Sequence, residues 1–387
     1  MLCRALCGVE VLLYIYIFTC NPKSGQEAVR ELSDNDATFD FIAWLDDGVG
    51  AFRSALDNDA LCDLIKSVPV IFTRHVHKVD AVSSPHDFLD ALLVFCRQNL
   101  DKSASFTVQV RSAGKTAGAF SGGIESVADE VAGALVREGF NLDVAGGKSI
   151  ISVFIDGEKV WWGIGNAALN LSHWKGGASH YSHTSQYDFI SRAEYKLVEA
   201  IECFGIDMAD MKSGADLGAA PGGWTKVLLD HGLAVTSIDP ALLRPEIEHN
   251  AKVRYFRMQV EEYLRQNDTC QFDVVVNDMR MDVGKSIGII NQFYGRIKNG
   301  GTVIVTFKLP HECAYSSIKK WLAAFNGFAL IGARQLFHNR SEITVALRKR
   351  ADLRSEVASD DVRPKKNVHG MSKKLERKMS RRRKIRR

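Results

Sequence analysis

From Ala215 onward the apolar residues come in short, evenly separated runs, and most of these runs are β-branched. Ala215–Leu217, Ala234–Ile238, Val253–Arg257, Phe272–Asn277, Gly301–Phe307, Ala329–Leu336 and Ile343–Arg348 read as strands, and helix-compatible stretches separate the first six. Only a few residues join the last two, which predicts an antiparallel hairpin. Five crossovers and a closing hairpin predict an α/β fold whose centre is a doubly wound, seven-stranded, Rossmann-like sheet.

Upstream the periodicity changes. Val9–Cys20 is an apolar run followed by the helical pattern Glu27–Leu32, and aromatic or β-branched segments recur near Thr38–Trp44 and Val68–Thr73. A small α+β domain over residues 1–78 fits this pattern. Asp87–Leu100 has helical spacing, Ser105–Val110 alternates like a half-buried strand, Ile124–Glu138 is helical and Ser149–Ile155 is strand-like. These predict a second small α/β module over residues 79–175. A loop rich in Gly, Ser, His and aromatic residues runs from about Asn166 to Asp188. It leads to a helix near Ser191–Leu197, where Ser191 and Glu194 have capping-box spacing. The sheet domain then occupies residues 176–350, and residues 351–387 form a basic tail.

Charge sharpens the division. Residues 363–387 hold thirteen Lys/Arg against the single acid Glu376, whereas residues 1–362 hold 37 bases and 45 acids, a net charge of −8. A mildly acidic body with a strongly basic tail suits a polyanionic partner. RNA tethering is the favoured reading of the tail; a solubility segment and a nuclear signal are the alternatives. The eight cysteines (Cys3, Cys7, Cys20, Cys62, Cys96, Cys203, Cys270, Cys313) show no Cys-x-x-Cys pair and no zinc-like spacing. This usage suggests a reducing, cytoplasmic setting. Arg4 before Val9–Cys20 gives that run the shape of a secretory signal, but it is too short to span a bilayer and no small-residue cleavage site follows. A buried strand is the preferred reading, with no membrane partner.

The candidate chemistry begins at Asp216-Leu217-Gly218-Ala219-Ala220-Pro221-Gly222-Gly223-Trp224. Gly218 ends the first strand of the sheet and Gly222-Gly223 opens the next helix. Glycine there allows a ligand close to the backbone, and a helix N-terminus offers free N–H groups to a carboxylate. Asp239 closes the second strand, where a carboxylate grips a ribose diol. Nicotinamide sites share that layout, yet this loop is Gly-x-x-x-Gly-Gly with Pro221 inside and lacks the Gly-x-Gly-x-x-Gly order. S-adenosylmethionine fits better, with Asp216, Gly218, Pro221, Gly222, Gly223, Trp224, Asp239, Gln259 and Asp278 as candidate contacts.

Four charged residues flank this loop in order: Lys196, Asp278, Lys308 and Glu342. Asp278 and Lys308 end the fourth and fifth strands, and Glu342 opens the final antiparallel strand, so all three fall at one sheet edge. A lysine after Val303-Ile304-Val305-Thr306-Phe307 calls for a reason, while a helical lysine such as Lys196 is ordinary by itself. Methylating a ribose hydroxyl requires alignment and proton removal. A lysine serves as base when a second lysine and partial desolvation oppose its charge and carboxylates fix its geometry.

The ordered Lys, Asp, Lys and Glu around Asp-Leu-Gly-Ala-Ala-Pro-Gly-Gly-Trp resembles the FtsJ-type ribose 2′-O-methyltransferases. Ser191-Arg192, Lys196-Leu197-Val198-Glu199-Ala200, Phe307-Lys308-Leu309-Pro310, Arg334-Gln335-Leu336-Phe337-His338 and Glu342-Ile343-Thr344-Val345 are similar to the branch acting on cytidine in large-subunit ribosomal RNA. The resemblance is strong over about residues 188–350. It is fainter upstream, where Val70-Ile71-Phe72-Thr73-Arg74 and the strand–helix–strand module resemble that branch's THUMP RNA-binding domain, with a ferredoxin-like unit before it. The resemblance implies that Lys308 is the base, that Lys196, Asp278 and Glu342 orient it and the substrate, and that RNA is the partner. One departure is Gln259-Val260 where the family commonly has Asp and an aromatic residue for adenine.

Weaker signals remain. His173, His180 and His183 lie with Trp174, Tyr181 and Tyr187 in the loop before Lys196. No Cys or acidic partner completes a metal set, so stacking on an unpaired base and ordinary loop packing are the two readings. His75 and His77 read as strand surface. Base methylation fits poorly: Asn277-Asp278-Met279-Arg280 is not the Asn/Asp-Pro-Pro-aromatic run of amino-group methylation, and no cysteine nucleophile lies at that strand end. A non-catalytic RNA-binding or ribosome-assembly protein on an inherited fold is the rival of another class, and the presence of all four charged residues speaks against it.

Overall fold

The computed structural model describes residues 2–4, 10–113, 123–144, 147–157, 159–166, 169, 190–310, 313 and 315–351. The aromatic and histidine loop around His173, Trp174, His180, Tyr181, His183 and Tyr187, the thiol Cys7 and the basic tail over 363–387 lie outside the described residues. Up to Arg350 the described residues form one compact unit.

Two three-residue strands, β1 (Leu2–Arg4) and β2 (Glu10–Leu12), pair only with each other. A four-stranded antiparallel sheet follows, with strands β3 (Tyr14–Cys20), β4 (Asp40–Asp46), β5 (Val49–Ser54) and β6 (Thr73–Val79) in the order β4-β5-β3-β6. Helices α1 (Gly25–Asn35) and α2 (Asn58–Ser67) belong to this unit. The Asp57 carboxylate caps α2 by accepting the Ala60 N–H at 2.9 Å. Val68–Phe72, read from its β-branched content as part of a strand segment, is irregular, and β6 begins only at Thr73.

The next sheet contains β7 (Ala81–Ser83), β8 (Ser105–Ser112), β9 (Asn141–Leu142), β10 (Ser149–Asp156) and β11 (Lys159–Asn166), ordered β7-β11-β10-β8-β9. Helices α3 (Phe88–Asn99) and α4 (Gly123–Arg137) supply Leu92, Cys96, Val131 and Leu135 to its core. Between the two sheets runs a polar seam. His75 and His77 on β6 are 1% and 6% exposed, so the strand-surface reading fails: this face of β6 packs on the second sheet. Arg111 Nη1 donates to His77 Nε2 at 2.7 Å, which leaves His77 Nδ1 to donate to Ser152 Oγ, also at 2.7 Å. That tautomer is neutral. Burial, reinforced by the Arg111 charge, holds both imidazoles well below the ordinary histidine pKa.

Helix α5 (Ala193–Cys203) leads into the large sheet. Its strands are β12 (Ser213–Leu217), β13 (Ala234–Ile238), β14 (Val253–Phe256), β15 (Phe272–Asn277), β16 (Ile297–Lys308), β17 (Phe328–Arg334) and β18 (Glu342–Lys349), in the order β14-β13-β12-β15-β16-β18-β17. All are parallel except β18. This is the doubly wound, seven-stranded arrangement predicted, hairpin included. The crossovers are α6 (Gly223–Asp230), α7 (Pro245–Glu248), α8 (Val260–Leu264), α9 (Val283–Phe293) and α10 (Tyr315–Ala323). Val274, Val275, Val276, Val303, Ile304 and Val305 are all fully buried, as central strands covered on both faces require.

The first unit is fastened to this sheet at its β17 edge. Glu31 of α1 is fully buried and accepts backbone N–H bonds from Ile71, from Phe72 at 3.1 Å and from Thr73 at 3.1 Å. Burial pushes its pKa up to about 7 against those three donors. The segment it grips is bonded in turn to the large sheet: Gln335 N–H donates to Ile71 O at 2.7 Å and Arg334 Nη1 to Thr73 O at 3.2 Å. No helix among the described residues is long and apolar enough to cross a membrane.

Candidate active site

The turn after β12 takes its shape from two left-handed glycines, Gly218 at φ +78° and Gly222 at φ +115°. Neither tolerates a side chain: a Cβ on Gly218 would sit 2.3 Å from Met279 Cγ, and one on Gly222 would meet Ile247 at 3.0 Å. Pro221 is exposed at the tip of the turn, while Gly223 is buried where α6 begins. Asp239, half-buried at the end of β13, braces the turn by accepting the Ala220 N–H at 3.0 Å through Oδ2 and the Ala241 N–H at 2.7 Å through Oδ1.

Two residues of the motif work from underneath. Asp216 is 1% exposed and accepts a 2.7 Å hydrogen bond from Thr225 Oγ1. Burial pushes its pKa up to about 7, with Asp278 adding to the rise and Thr225 opposing it. Trp224 is 4% exposed and donates its indole N–H to Ala193 O at 2.7 Å, locking α6 to α5. Both were expected among the cofactor contacts, yet their side chains have almost no surface to offer. Gln259 is exposed beyond β14.

The four ordered charges do meet. Lys308 Nζ lies 2.8 Å from Asp278 Oδ1 and 2.9 Å from Glu342 Oε1. Lys196 Nζ lies 2.6 Å from Glu342 Oε2 and 3.4 Å from Asp278 Oδ2. Each carboxylate therefore bridges both ammonium groups, one oxygen to each, in a closed ring of alternating charge. The side chains are between 15% and 23% exposed, so the ring is screened but reachable. Lys308 and Glu342 face each other because their strands pair in that register. Lys196 arrives from α5, outside the sheet.

Electrostatics in the ring sets desolvation and a second lysine, which lower a lysine pKa, against carboxylates, which raise it. Burial does work against the Lys308 charge, but Asp278 and Glu342 together outweigh it and hold the pKa above the ordinary lysine value. Burial would likewise raise Glu342, and the hydrogen bonds from Lys196 and Lys308 overcome it and leave the carboxyl below its usual range. The pairing thus favours the ammonium form of Lys308 and the carboxylate form of Glu342.

Two supports were not read from the sequence. Asn339, 2% exposed, accepts from Leu336 N–H at 2.9 Å and from Thr344 Oγ1 at 3.1 Å, and places Nδ2 3.5 Å from Glu342 Oε2. Glu199, one turn beyond Lys196 on α5, accepts the Phe337 N–H at 2.6 Å and the His338 N–H at 3.0 Å, with His338 Nδ1 2.9 Å from the same carboxylate. Thus α5 holds the β17–β18 loop at both ends, through Glu199 and through Lys196. A buried Glu three residues from a charged Lys was the only available signal, and it needs the loop in place to be legible.

A Rossmann-like sheet, a glycine turn after its first strand and a Lys-Asp-Lys-Glu ring at the same edge invite comparison with known proteins. Residues 189–306 match the family described as FtsJ-like methyltransferase. The chain carries an FtsJ-like methyltransferase domain. It is similar to the curated protein Ribosomal RNA large subunit methyltransferase M of Stutzerimonas stutzeri, with 28% identity over 230 residues, covering 56% of this chain and 64% of the relative. The same protein of Tolumonas auensis is 30% identical over 171 residues, covering 41% of this chain and 46% of the relative. The matched region therefore spans less than two thirds of the length of these relatives. Among solved structures, TrmN from Thermus thermophilus aligns over 87% of this chain and 100% of its own at 16% identity and a TM-score of 0.34, too loose a likeness to bear on the argument.

Proposed function

We propose that the chain transfers a methyl group from S-adenosylmethionine to a ribose 2′-hydroxyl of RNA, with large-subunit ribosomal RNA as the substrate. The observation that carries this reading is the closed ring of Lys196, Asp278, Lys308 and Glu342 at the strand ends beside the glycine turn. The matching FtsJ-like domain and the names of the relatives support the substrate class.

The residues present fit the cofactor. The turn at Gly218–Gly223 is bare of side chains except Pro221 and the alanines, and Asp239 keeps lone pairs for a ribose diol beyond its two backbone bonds. Gln259, exposed beyond β14, serves in this reading as acceptor for one hydrogen bond from an adenine amino group. S-adenosylmethionine, when bound, supplies the electrophilic methyl. Lys308 removes the hydroxyl proton as a free amine, while Asp278 and Glu342 fix the Nζ position and Lys196 balances their charge. Because both carboxylates favour the ammonium form, the reactive amine is a minor species at neutral pH.

The unit over residues 1–78, the THUMP-like module over 79–175 and the tail serve this reading as RNA-positioning parts, in a cytoplasmic protein. The test is transfer of a labelled methyl group to total RNA from cells lacking the protein, followed by digestion to nucleosides. The expected product is a 2′-O-methylated nucleoside, and a base-methylated product overturns the reading. Cofactor binding with no transfer to RNA or to ribosomal particles supports a non-catalytic RNA-binding protein instead. Asp239→Ala is expected to weaken cofactor binding about tenfold, or about 1.4 kcal/mol, by equilibrium dialysis.

A further inference from the structure

The loop held by Glu199 presents an aromatic surface to solvent at the edge of the ring. Phe337 is 39% exposed, although its backbone N–H is fixed on Glu199 at 2.6 Å. Its ring stands edge-on to His338 (5.2 Å, 82°), and His338 stacks on Tyr195 (4.9 Å, 13°), the neighbour of Lys196. Phe337 is thus a rigid aromatic, braced from behind, five residues before Glu342 and gripped one helical turn, about 5 Å, from Lys196.

One arginine touches the ring and two more stand on the elements that hold it. The Arg74 guanidinium lies over the Phe337 ring at 5.5 Å and donates to Leu336 O at 3.3 Å. Among the described residues no carboxylate lies within ion-pair distance of Arg74, of Arg340 on the same loop or of Arg192 at the start of α5; Arg74 is half-buried and feels the Glu199 carboxylate that grips the loop, while Arg340 and Arg192 are exposed. Gln335–Ser341 contains no acidic residue. An apolar protein partner is a poor match for such a rim. A nucleotide matches it in both respects, with a π-face for the ring and a phosphate for the guanidinium.

We propose that Phe337 and Arg74 form a docking platform for one unpaired RNA nucleotide flanking the methylated ribose. The base stacks on the exposed side of Phe337 and its phosphate lies against Arg74, with Arg340 and Arg192 along the backbone. The proposal rests on the ribose-methylation reading for its register and assigns the stacking surface to the β17–β18 loop rather than to the histidine-rich segment before Ile190.

The experiment measures binding of a fluorescein-labelled unpaired RNA oligonucleotide across a salt series, beside methyl transfer by the same full-length protein. Phe337→Ala is expected to raise Kd between about 5- and 150-fold, the range that stacking of one base covers, with the salt slope unchanged. Phe337→Trp is expected to retain wild-type affinity and Phe337→Leu to lose it. Arg74→Gln is expected to flatten the slope of log K against log salt by about 0.7, the value for one phosphate on a single strand. Thermal unfolding of each variant separates binding loss from misfolding. Unchanged affinity of Phe337→Ala, or equal binding by the Leu and Trp variants, overturns the platform. If the wild-type protein transfers no methyl group to any RNA while the Phe337 series behaves as expected, the platform stands and the ribose-methylation reading falls.

Discussion

Two polar clusters in this chain were assembled by opposite rules. The ring of Lys196, Asp278, Lys308 and Glu342 sets two cationic and two anionic side chains, each partly exposed, against one another, with Asn339 adding one contact to Glu342. The seam of His75, His77, Arg111, Thr19 and Ser152 lies between two sheets, where the histidines are neutral and Arg111 is bonded to neutral partners, His77 and Gln109. Burial explains the difference. A deeply buried imidazole sheds its charge, whereas a half-buried ring with equal numbers of each sign retains it. The ring can therefore change protonation state during a reaction, while the seam gains nothing from titrating and is disrupted by it.

The strongest way to break this contrast is to remove one member of the ring. Lys308→Ala is expected to lower kcat by about 10²–10⁴-fold with cofactor affinity nearly unchanged. Wild-type activity in that variant ends the assignment of Lys308 as base. In the seam, His77→Ala leaves Ser152 and Arg111 each short of a partner and is expected to cost about 1–3 kcal/mol in urea unfolding, with methyl transfer per folded molecule unaltered. A loss of activity larger than the loss of folded protein would erase the distinction between the clusters.

Titration sharpens the comparison further. The Lys308 pKa is raised, so methyl transfer should climb with pH through the neutral and alkaline range as the free amine becomes populated. Glu342→Gln deletes one carboxylate beside Lys308 and is expected to move that rise toward lower pH, with a reduced maximum. A profile that does not move would show that Glu342 leaves the Lys308 proton unaffected.

The smallest effect concerns the seam. His77 has a depressed pKa in the folded state, so below about pH 6.5 the unfolded chain binds more protons and stability falls with acidification. Glu31 and Asp216, raised to about 7, act in the opposite direction over the same range, so total stability does not isolate the histidine. The stability difference between wild type and His77→Gln does. It is expected to shrink as pH falls from 7 to 5, and a constant difference would show that His77 takes up its proton as readily in the fold as in the unfolded chain.

The large sheet was legible because each central strand is a dense β-branched run and each crossover starts or stops at a clear break. The upstream sheets were harder. β5 has Gly50 and Arg53 inside it, α2 opens with Asn58 and Asp59, and β11 begins at Lys159, close behind the end of β10 at Asp156, so none of the three stands out from its neighbours. β6 and its histidines were misjudged because alternation shows that a strand has two faces and says nothing of a second sheet covering the polar one.

The sequence alone determined the strand ends and strand directions that put Asp278, Lys308 and Glu342 at one edge, since strand ends and a closing hairpin are local properties. It also determined the glycine turn, because glycine is the residue that readily adopts the positive φ found at Gly218 and Gly222. Tertiary structure alone decided that Lys196 closes the ring, that Glu199 and Asn339 hold the loop carrying Glu342, and that Asp216 and Trp224 are buried beneath the turn. Those outcomes depend on how α5 packs across the sheet and on burial. The longest of these contacts join segments more than a hundred residues apart, as between Glu199 and His338, and no local pattern encodes them.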